Sequence, residues 1–407
     1  MKILLLTDIP PCKNYTAGLV LLQLCKFIPS ENLACFIVMN PSLTPNLSEE
    51  TNRISMQFCD KPRENWHILP NLLGEISSVV MQTYSAKFTV RQITQKVVNF
   101  GREFGADVIW CILEGQTMIN LAIPVSSALR LPLLTQVWDP PTWWMRANQV
   151  DKFSKSLVLK EFEKVLGMSD GCAAASWAMA EHYCSVYGVR TIPVVPSLDS
   201  KLALSPVETM HPGKNFVIGM AGQIYATDEW QALLNALDSI NWQIGGRDIK
   251  LQLMSYEIKL STMKRMQVEF FGWRSQQETI TLMSQADVLY CPYWFDPAFE
   301  MEARLSFPSK MTTYLAAGRP IFFHGPDYAS PANFLKHNDA GICCHSLETQ
   351  EIVKTLSLLA TDTQLCTQLS QNGQLAFNKN LTLESMHKNF AEFLQVQENW
   401  LLPLSTL

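Results

Sequence analysis

Short apolar runs rich in β-branched residues alternate along the chain with longer amphipathic segments, the pattern of parallel strands joined by crossover helices. In the first half these runs fall at residues 2–7, 33–39, 108–113, 133–137, 171–175 and 191–195. A turn-rich stretch with weak periodicity follows, holding Pro206, Pro212 and Gly213, and it reads as the join between two domains. The alternation then resumes at 216–220, 250–254, 267–271, 288–291, 321–323 and 341–343. The expected organisation is an N-terminal α/β domain over 1–198, a linker over 199–214 and a second α/β domain over 215–382. A last helical segment begins near Leu383 and ends in aromatic and apolar residues although the second sheet is already complete. Residues 383–407 are therefore expected to pack back on the first domain.

Composition refines this picture. Nearly half of the 407 residues are apolar and only 17% are charged, which suits two buried cores and not a disordered chain. The first 200 residues carry 17 Lys+Arg against 17 Asp+Glu, and the rest 15 against 20, so nucleic acid is not an expected partner. The eleven cysteines lack metal-ligand spacing and the seven histidines form no HxxxH pair. Reduced thiols and no protein-bound metal are expected. The apolar start runs straight into Thr7-Asp8, too short for a signal peptide or a membrane span, and reads as the first buried strand of a cytoplasmic protein. Over 84–104, Ile93, Val97, Phe100 and Phe104 share one helical face, while Lys87, Arg91 and Arg102 fall elsewhere. Such a segment is either a surface helix packed on the core or a peripheral contact with anionic lipid at the inner face of a membrane.

The most informative stretch for chemistry runs from Ser306 through Phe307-Pro308-Ser309-Lys310 and Thr313-Tyr314 to Gly318-Arg319-Pro320. It reads as one short helix: Ser306 suits an N-cap, Pro308 the first turn, Gly318 the left-handed position that ends a helix, and Pro320 forbids continuation. Entered from the strand at 288–291 and an acidic loop at 292–305, its free N–H groups would lie at the carboxyl end of a sheet, where open α/β folds bind ligands. Lys310 in the first turn opposes the helix dipole unless an anion is present. It is either the cation that meets a diphosphate or a surface lysine with its stem on the core. In the first half, Trp138-Asp139-Pro140-Pro141-Thr142-Trp143 crowds a strand end with aromatic rings, which suit the apolar faces of sugars. Asp139 either holds an acceptor hydroxyl and assists its proton loss or caps the next turn. Glu114 and His324 also end strands, and each has a structural reading beside a functional one. Gly18 permits close backbone approach where the first helix starts. GxGxxG and P-loop patterns are absent, which argues against a nicotinamide enzyme or a P-loop nucleotidase.

A strand ending in Pro292, an acidic loop, Phe307-Pro308-Ser309-Lys310 and Tyr314-Leu315-Ala316-Ala317-Gly318-Arg319-Pro320 together resemble the donor-site signature of glycosyltransferase family 4. The segments Ser169-Asp170-Gly171-Cys172-Ala173, Tyr187-Gly188, 193–199 and 217–222, and the Thr7-Asp8 loop leading to Thr16-Ala17-Gly18, are similar to further blocks of that family in the same order. The resemblance implies an α/β fold of GT-B type, with two Rossmann-like domains facing each other across a cleft and a C-terminal helix returning to the first. It implies transfer of a sugar from a nucleotide sugar (UDP- or GDP-sugar) to a hydroxyl of a sugar, lipid-linked or other glycoconjugate acceptor, with retention at the anomeric carbon and no permanently bound cofactor. Donor contacts would come from Gly222, Gln223, Glu300, Pro308, Ser309, Lys310, Thr313 and Tyr314. Acceptor contacts would come from Thr16, Gly18, Trp138 and Trp143, with Asp139 catalytic.

The chain departs from the family at charged positions. Gln223 and Asp228 stand where an arginine and a lysine are usual, and Leu305 and Thr313 stand where two glutamates are usual. Lys310 and Arg319 are left as nearby cations, and Glu300 or Glu302 as stand-ins for the first acid. These substitutions motivate the alternative of a catalytically silent relative that binds sugar or supports a partner transferase.

Overall fold

The computed structural model describes residues 1–49, 51–64, 77, 79–81, 84, 88–206, 213–257 and 260–406. They form two compact units, one of residues 1–195 with 387–407 and one of residues 196–386.

The first unit is built on β1 (Ile3–Thr7), β2 (Leu33–Met39), β3 (Ser55–Asp60), β4 (Val108–Ile112), β5 (Leu133–Val137), β6 (Gly171–Ala174) and β7 (Thr191–Pro193). Their order is β3-β2-β1-β4-β5-β6-β7, and neighbouring strands pair in parallel. The apolar runs of β1, β4 and β5 are buried throughout because helices cover both faces of such a sheet. β3 escapes the hydrophobic pattern for a physical reason: it is an edge strand, Ser-Met-Gln-Phe-Cys-Asp, with no fully buried position.

In the helix Val90–Phe104, Ile93 and Val97 are buried and Phe100 packs 5.9 Å from Phe36. The apolar face of the 84–104 segment is thus turned to the core, leaving Tyr84, Phe88 and Arg91 exposed. Residues 85–87, including Lys87, lie outside the described residues. The helix Leu383–Phe393 sets Phe390 against Trp110 at 5.1 Å. Its carbonyl end is capped by Arg190, whose guanidinium donates to the Glu392 and Phe393 carbonyls at 3.2 and 3.1 Å, a cation where the helix dipole is negative.

The second unit contains β8 (Asn215–Ala221), β9 (Gln243–Ile244), β10 (Arg247–Met254), β11 (Val268–Phe270), β12 (Val288–Pro292), β13 (Ile321–His324) and β14 (Gly341–Cys344). The order is β11-β10-β8-β12-β13-β14, all parallel, with the short β9 antiparallel to β10. Residues 196–206 are held by this unit: Leu204 N–H donates to the Ala316 carbonyl at 2.8 Å, and Leu198 bridges to Thr382. No described helix is long and apolar enough to cross a membrane, and all eleven cysteines remain thiols.

In each unit the chain starts in the middle of the sheet, builds outward to one side and then returns to build the other. The strand order therefore reverses between β1 and β4, and between β8 and β12. At such a break the connecting helices diverge and leave the carboxyl ends of the two strands uncovered.

The helix Lys310–Ala316 stops at Gly318, whose φ is +66° and where a Cβ would sit 2.9 Å from the Ser205 carbonyl oxygen. Gly318→Ala should therefore lower stability by about 2 kcal/mol, read as a fall in the urea midpoint at unchanged slope.

Candidate functional site

At the break in the second unit, β8 gives way to Gly222, with φ +90°, and Gln223, while β12 ends at Pro292 beside them. The helix Lys310–Ala316 brings Lys310 between the two. The lysine is 9% exposed; its Nζ donates to the Gln223 carbonyl at 3.4 Å and stands 4.4 Å from the centre of the Tyr225 ring. A Cβ on Gly222 would lie 3.8 Å from Lys310 Cε. Among the described residues no carboxylate ion-pairs with this ammonium, and burial drives its pKa down to about 8. A cation buried with only a carbonyl and a ring for company is poised for an anion.

The helix begins later than the sequence suggests. Ser306 is not its N-cap but the residue that ends a preceding helix, Glu300–Leu305, and its carbonyl accepts from Tyr293 OH at 3.1 Å. Ser309 occupies the cap position in helical conformation without a side-chain cap bond. The acidic segment is thus partly helical. Glu300, expected at the donor, is exposed and paired with Arg304 at 2.8 Å, one turn on, while Glu302 is buried.

Pro308 is half-buried and Ser309 exposed beside Lys310. Thr313 Oγ1 accepts from Gln276 Nε2 at 2.9 Å. Tyr314 corrects the expectation of a ligand contact: it is fully buried, and its hydroxyl accepts from Ala221 N–H at 2.9 Å and donates to the Tyr290 carbonyl at 3.1 Å. Arg319 is also removed from the site. It lies just before β13, at the amino edge of the sheet, where its Nε donates to the Ser284 carbonyl. His324 is buried between Tyr290 OH and the Ser346 carbonyl, each at 2.8 Å, and burial lowers its pKa to about 4, so it is a neutral bridge in the core.

Asp228 is exposed in the first turn of the helix Thr227–Ser239. Its neighbour Glu229, missed by the sequence reading, is buried and accepts from Phe295 N–H at 2.6 Å, fixing the loop that follows β12. That loop is aromatic: the Trp294 ring lies 4.7 Å from Tyr225 and 5.0 Å from Phe299.

The first unit gathers carboxylates at its own break. Asp8 follows β1, Glu114 follows β4 and Asp139 follows β5. Lys61, just beyond β3, sits 3.2 Å from Asp8 Oδ2 and 3.2 Å from Glu64 Oε2. Glu64 Oε1 accepts from Thr117 N–H at 2.7 Å, satisfying a free donor of the helix Gly115–Leu129, whose own N-cap residue Glu114 makes no side-chain cap bond. Burial works against the Lys61 charge, yet Glu64 and Asp8 outweigh it and hold the ammonium above the usual lysine range. Burial, then the charges of Asp8 and Asp139, push the Glu114 carboxyl well up; burial raises Asp8 too, against the pull of Lys61. A cavity of about 510 Å³ opens here, lined among others by Asp8, Asn40, Lys61, Glu64 and Asn148.

Trp138 and Asp139 are half-buried at the end of β5, Pro140 takes the cap position of the helix Pro141–Ala147, and Trp143 is half-buried within that helix. Thr16 is exposed at the start of the helix Thr16–Lys26. Gly18 is buried with Cys12 against it, so that a Cβ would collide with Cys12 Sγ. It serves close packing and offers no free surface to an acceptor. Lys61 and Glu64 carried no signal in the sequence, because Asp8 and Thr117, the partners that give them their roles, each lie 53 residues away.

The two-domain α/β fold is that of GT-B glycosyltransferases. The chain superposes on Anabaena HepE in complex with UDP at a TM-score of 0.64 and 16% identity, covering 97% of this chain and 100% of that one. Sucrose-phosphate synthase from Thermosynechococcus elongatus matches at a TM-score of 0.66 and 11% identity over 97% and 98%. The UDP-forming α,α-trehalose-phosphate synthase from Burkholderia xenovorans, in complex with glucose-6-phosphate, matches at 0.63 and 11% over 97% and 100%. No family model matches the chain, and no curated protein matches it in sequence.

Two stability effects follow. Lys310→Met should stabilise the ligand-free protein at pH 7 by up to about 3 kcal/mol, because a lysine whose pKa is lowered on folding opposes folding wherever it is charged. The gain should shrink as the pH rises from about 8 towards the unfolded lysine value of about 10.4, in denaturant titrations at pH 7 and 10. Lys61→Met should cost about 3 kcal/mol at pH 7, because it leaves two half-buried carboxylates together without their cation, again read from the denaturant midpoint.

Proposed function

We propose that the protein is a glycosyltransferase that takes a sugar from a UDP- or GDP-sugar. The observation that carries this reading is Lys310, an ammonium buried at the strand-order break of the second unit, with no carboxylate ion-paired to it among the described residues. HepE, on the same fold, has been crystallised with UDP-glucose, and also with UDP and glucose. In this proposal Lys310 holds the diphosphate, with Gly222, Gln223, Pro308 and Ser309 around it and Thr313 towards the ribose. As the bond from the sugar to the diphosphate breaks, negative charge grows on the departing oxygen, and a fixed ammonium in a low-dielectric site favours that state over the ground state.

Asp139 orients the acceptor hydroxyl at the carboxyl edge of the first unit, with Trp138 and Trp143 covering apolar sugar surface. The acceptor is a sugar or another glycoconjugate hydroxyl, and the resemblance to family 4 supports retention. Exposed Tyr84 and Phe88 beside Arg91 suit peripheral contact with a membrane that carries a lipid-linked acceptor.

Gln223 and Asp228, in place of the family's arginine and lysine, favour a second reading: a silent relative that grips a nucleotide sugar without turning it over. A thermal-shift series with UDP, GDP and their sugars, followed by assay of donor hydrolysis and transfer, separates the two. UDP or GDP should raise the melting temperature; binding without turnover would select the silent relative, and a flat response to every nucleotide would remove both. Affinity for the nucleotide should fall about tenfold per pH unit above about 8, as Lys310 loses its proton in the empty site. In Lys310→Met it should be weak and independent of pH over that range, by titration calorimetry.

A further inference from the structure

The helix Lys152–Gly167 starts at Asp151, whose carboxylate accepts from Ser154 N–H at 2.9 Å, and it buries one face through Ser154, Val158, Phe162, Val165 and Leu166. The opposite face lies outside the core. Along it Phe153, Leu157, Lys160, Lys164 and Met168 follow one another at intervals of three or four residues, the spacing that sets side chains in one line on a helix. Phe153 is 65% exposed, Leu157 55% and Met168 54%, and both lysines between them are exposed. Scattered exposed apolar residues are ordinary on a protein surface. Three of them in line with two lysines form an ordered stripe.

We propose that this stripe is a docking face for an anionic membrane surface. It rests on the peripheral-membrane reading above and deepens it, by naming a second element that meets the lipid. Two features choose a bilayer over a protein partner. Lysines are depleted from the middle of protein interfaces, where their charge would be buried, and here Lys160 and Lys164 occupy the middle of the line. At a bilayer the same order is favourable: the apolar side chains enter the acyl boundary, while the long lysine stems keep their ammonium groups among the phosphates. The charge has the right sign. Residues 152–168 carry four lysines and two glutamates; Glu161 pairs with Lys164 at 3.5 Å and Glu163 is exposed off the line, so the helix stays net positive, as attraction to anionic lipid requires.

Its place in the fold suits a lipid-linked acceptor. The helix Gly115–Leu129 touches both Lys152–Gly167 and Val90–Phe104, and the three follow β4, β5 and β3 of one parallel sheet. Each therefore begins at the carboxyl edge. Phe153 and Leu157, in the first two turns of one flanking helix, border the same edge as Tyr84 and Phe88 ahead of the other, whose rings lie 4.7 Å apart. The cavity lined by Asp8, Lys61 and Asn148 opens there too. A membrane docked on the stripe would hold its lipids beside that cavity.

The test is flotation of the full chain with vesicles of phosphatidylcholine alone, and of phosphatidylcholine and phosphatidylglycerol in equal parts, at low and high salt. Wild type is compared with the double variants Phe153→Ser with Leu157→Ser, Lys160→Glu with Lys164→Glu, Phe153→Leu with Leu157→Met, and Tyr84→Ser with Phe88→Ser. These positions are exposed, so melting temperatures should stay within about 2 °C of wild type. Wild type should float with the anionic vesicles, less at high salt, and bind phosphatidylcholine alone far more weakly. The serine pair at 153 and 157, and the glutamate pair at 160 and 164, should each lower the partition coefficient about tenfold, while the Leu and Met pair keeps most of it. Flotation equal to wild type in either of the first two pairs would overturn the proposal, and its loss in the Tyr84 and Phe88 pair would then assign the contact to the 84–104 segment alone. A chain that is dimeric without vesicles, monomeric with serine at 153 and 157, and never floats would make the stripe a contact between two copies, and so overturn it as well. A wild type that floats with neither vesicle would remove this face together with the peripheral-membrane reading. The melting response to nucleotides, measured on the same protein, decides the transferase reading separately.

Discussion

Parallel pairing makes every strand of a sheet point the same way, so all carboxyl ends open on one edge and all amino ends on the other. In both units the strand order also reverses once near the centre, between β1 and β4 and between β8 and β12. Helices leaving neighbouring strands go to opposite faces there, and the strand ends between them stay uncovered. The chemically suggestive groups of each unit, Lys310 in one and Asp8 and Glu114 in the other, sit at these breaks, with Asp139 one strand on at the end of β5. Arg319, equally basic and only nine positions from Lys310, is at the amino edge and bonds to a carbonyl there. Sheet polarity separates the two cations more decisively than any local feature.

The two breaks are electrostatically unlike. One holds an ammonium beside a carbonyl and a ring with no carboxylate paired to it among the described residues, an environment that makes its charge costly until an anion arrives. The other holds several carboxylates beside one lysine, and burial, then the charges of Asp8 and Asp139, pushes Glu114 towards its neutral form. The first suits a phosphorylated ligand; the second suits groups that donate hydrogen bonds, such as hydroxyls.

A common device borders each break. A glutamate accepts a backbone N–H from a distant segment and so fixes a loop: Glu64 holds Thr117 in the first unit, and Glu229 holds Phe295 in the second. A buried carboxylate left unpaired is expensive, so such a bond is kept through thermal motion. Trp294 and Phe299 owe their fixed orientation in part to the second of these, which links the acidic start of the helix Thr227–Ser239 to the shape of the aromatic loop.

The alternation of strands and helices, the two series of strands, the return of the C-terminal helix and the left-handed stop at Gly318 were all legible in the sequence alone. Each of these rests on local physics: side-chain period, the apolar face of a last helix, and the missing Cβ of glycine. Only the tertiary structure decided that β3 is a strand, that Ser306 ends one helix instead of starting another, and that Tyr314 turns its hydroxyl into the core. It alone brought Asp8 to Lys61 and Thr117 to Glu64 and laid Trp294 beside Tyr225, because these partners lie far apart in the chain. No periodicity or motif records which distant residue a side chain will meet; that is set by the order in which parallel strands are laid into a sheet.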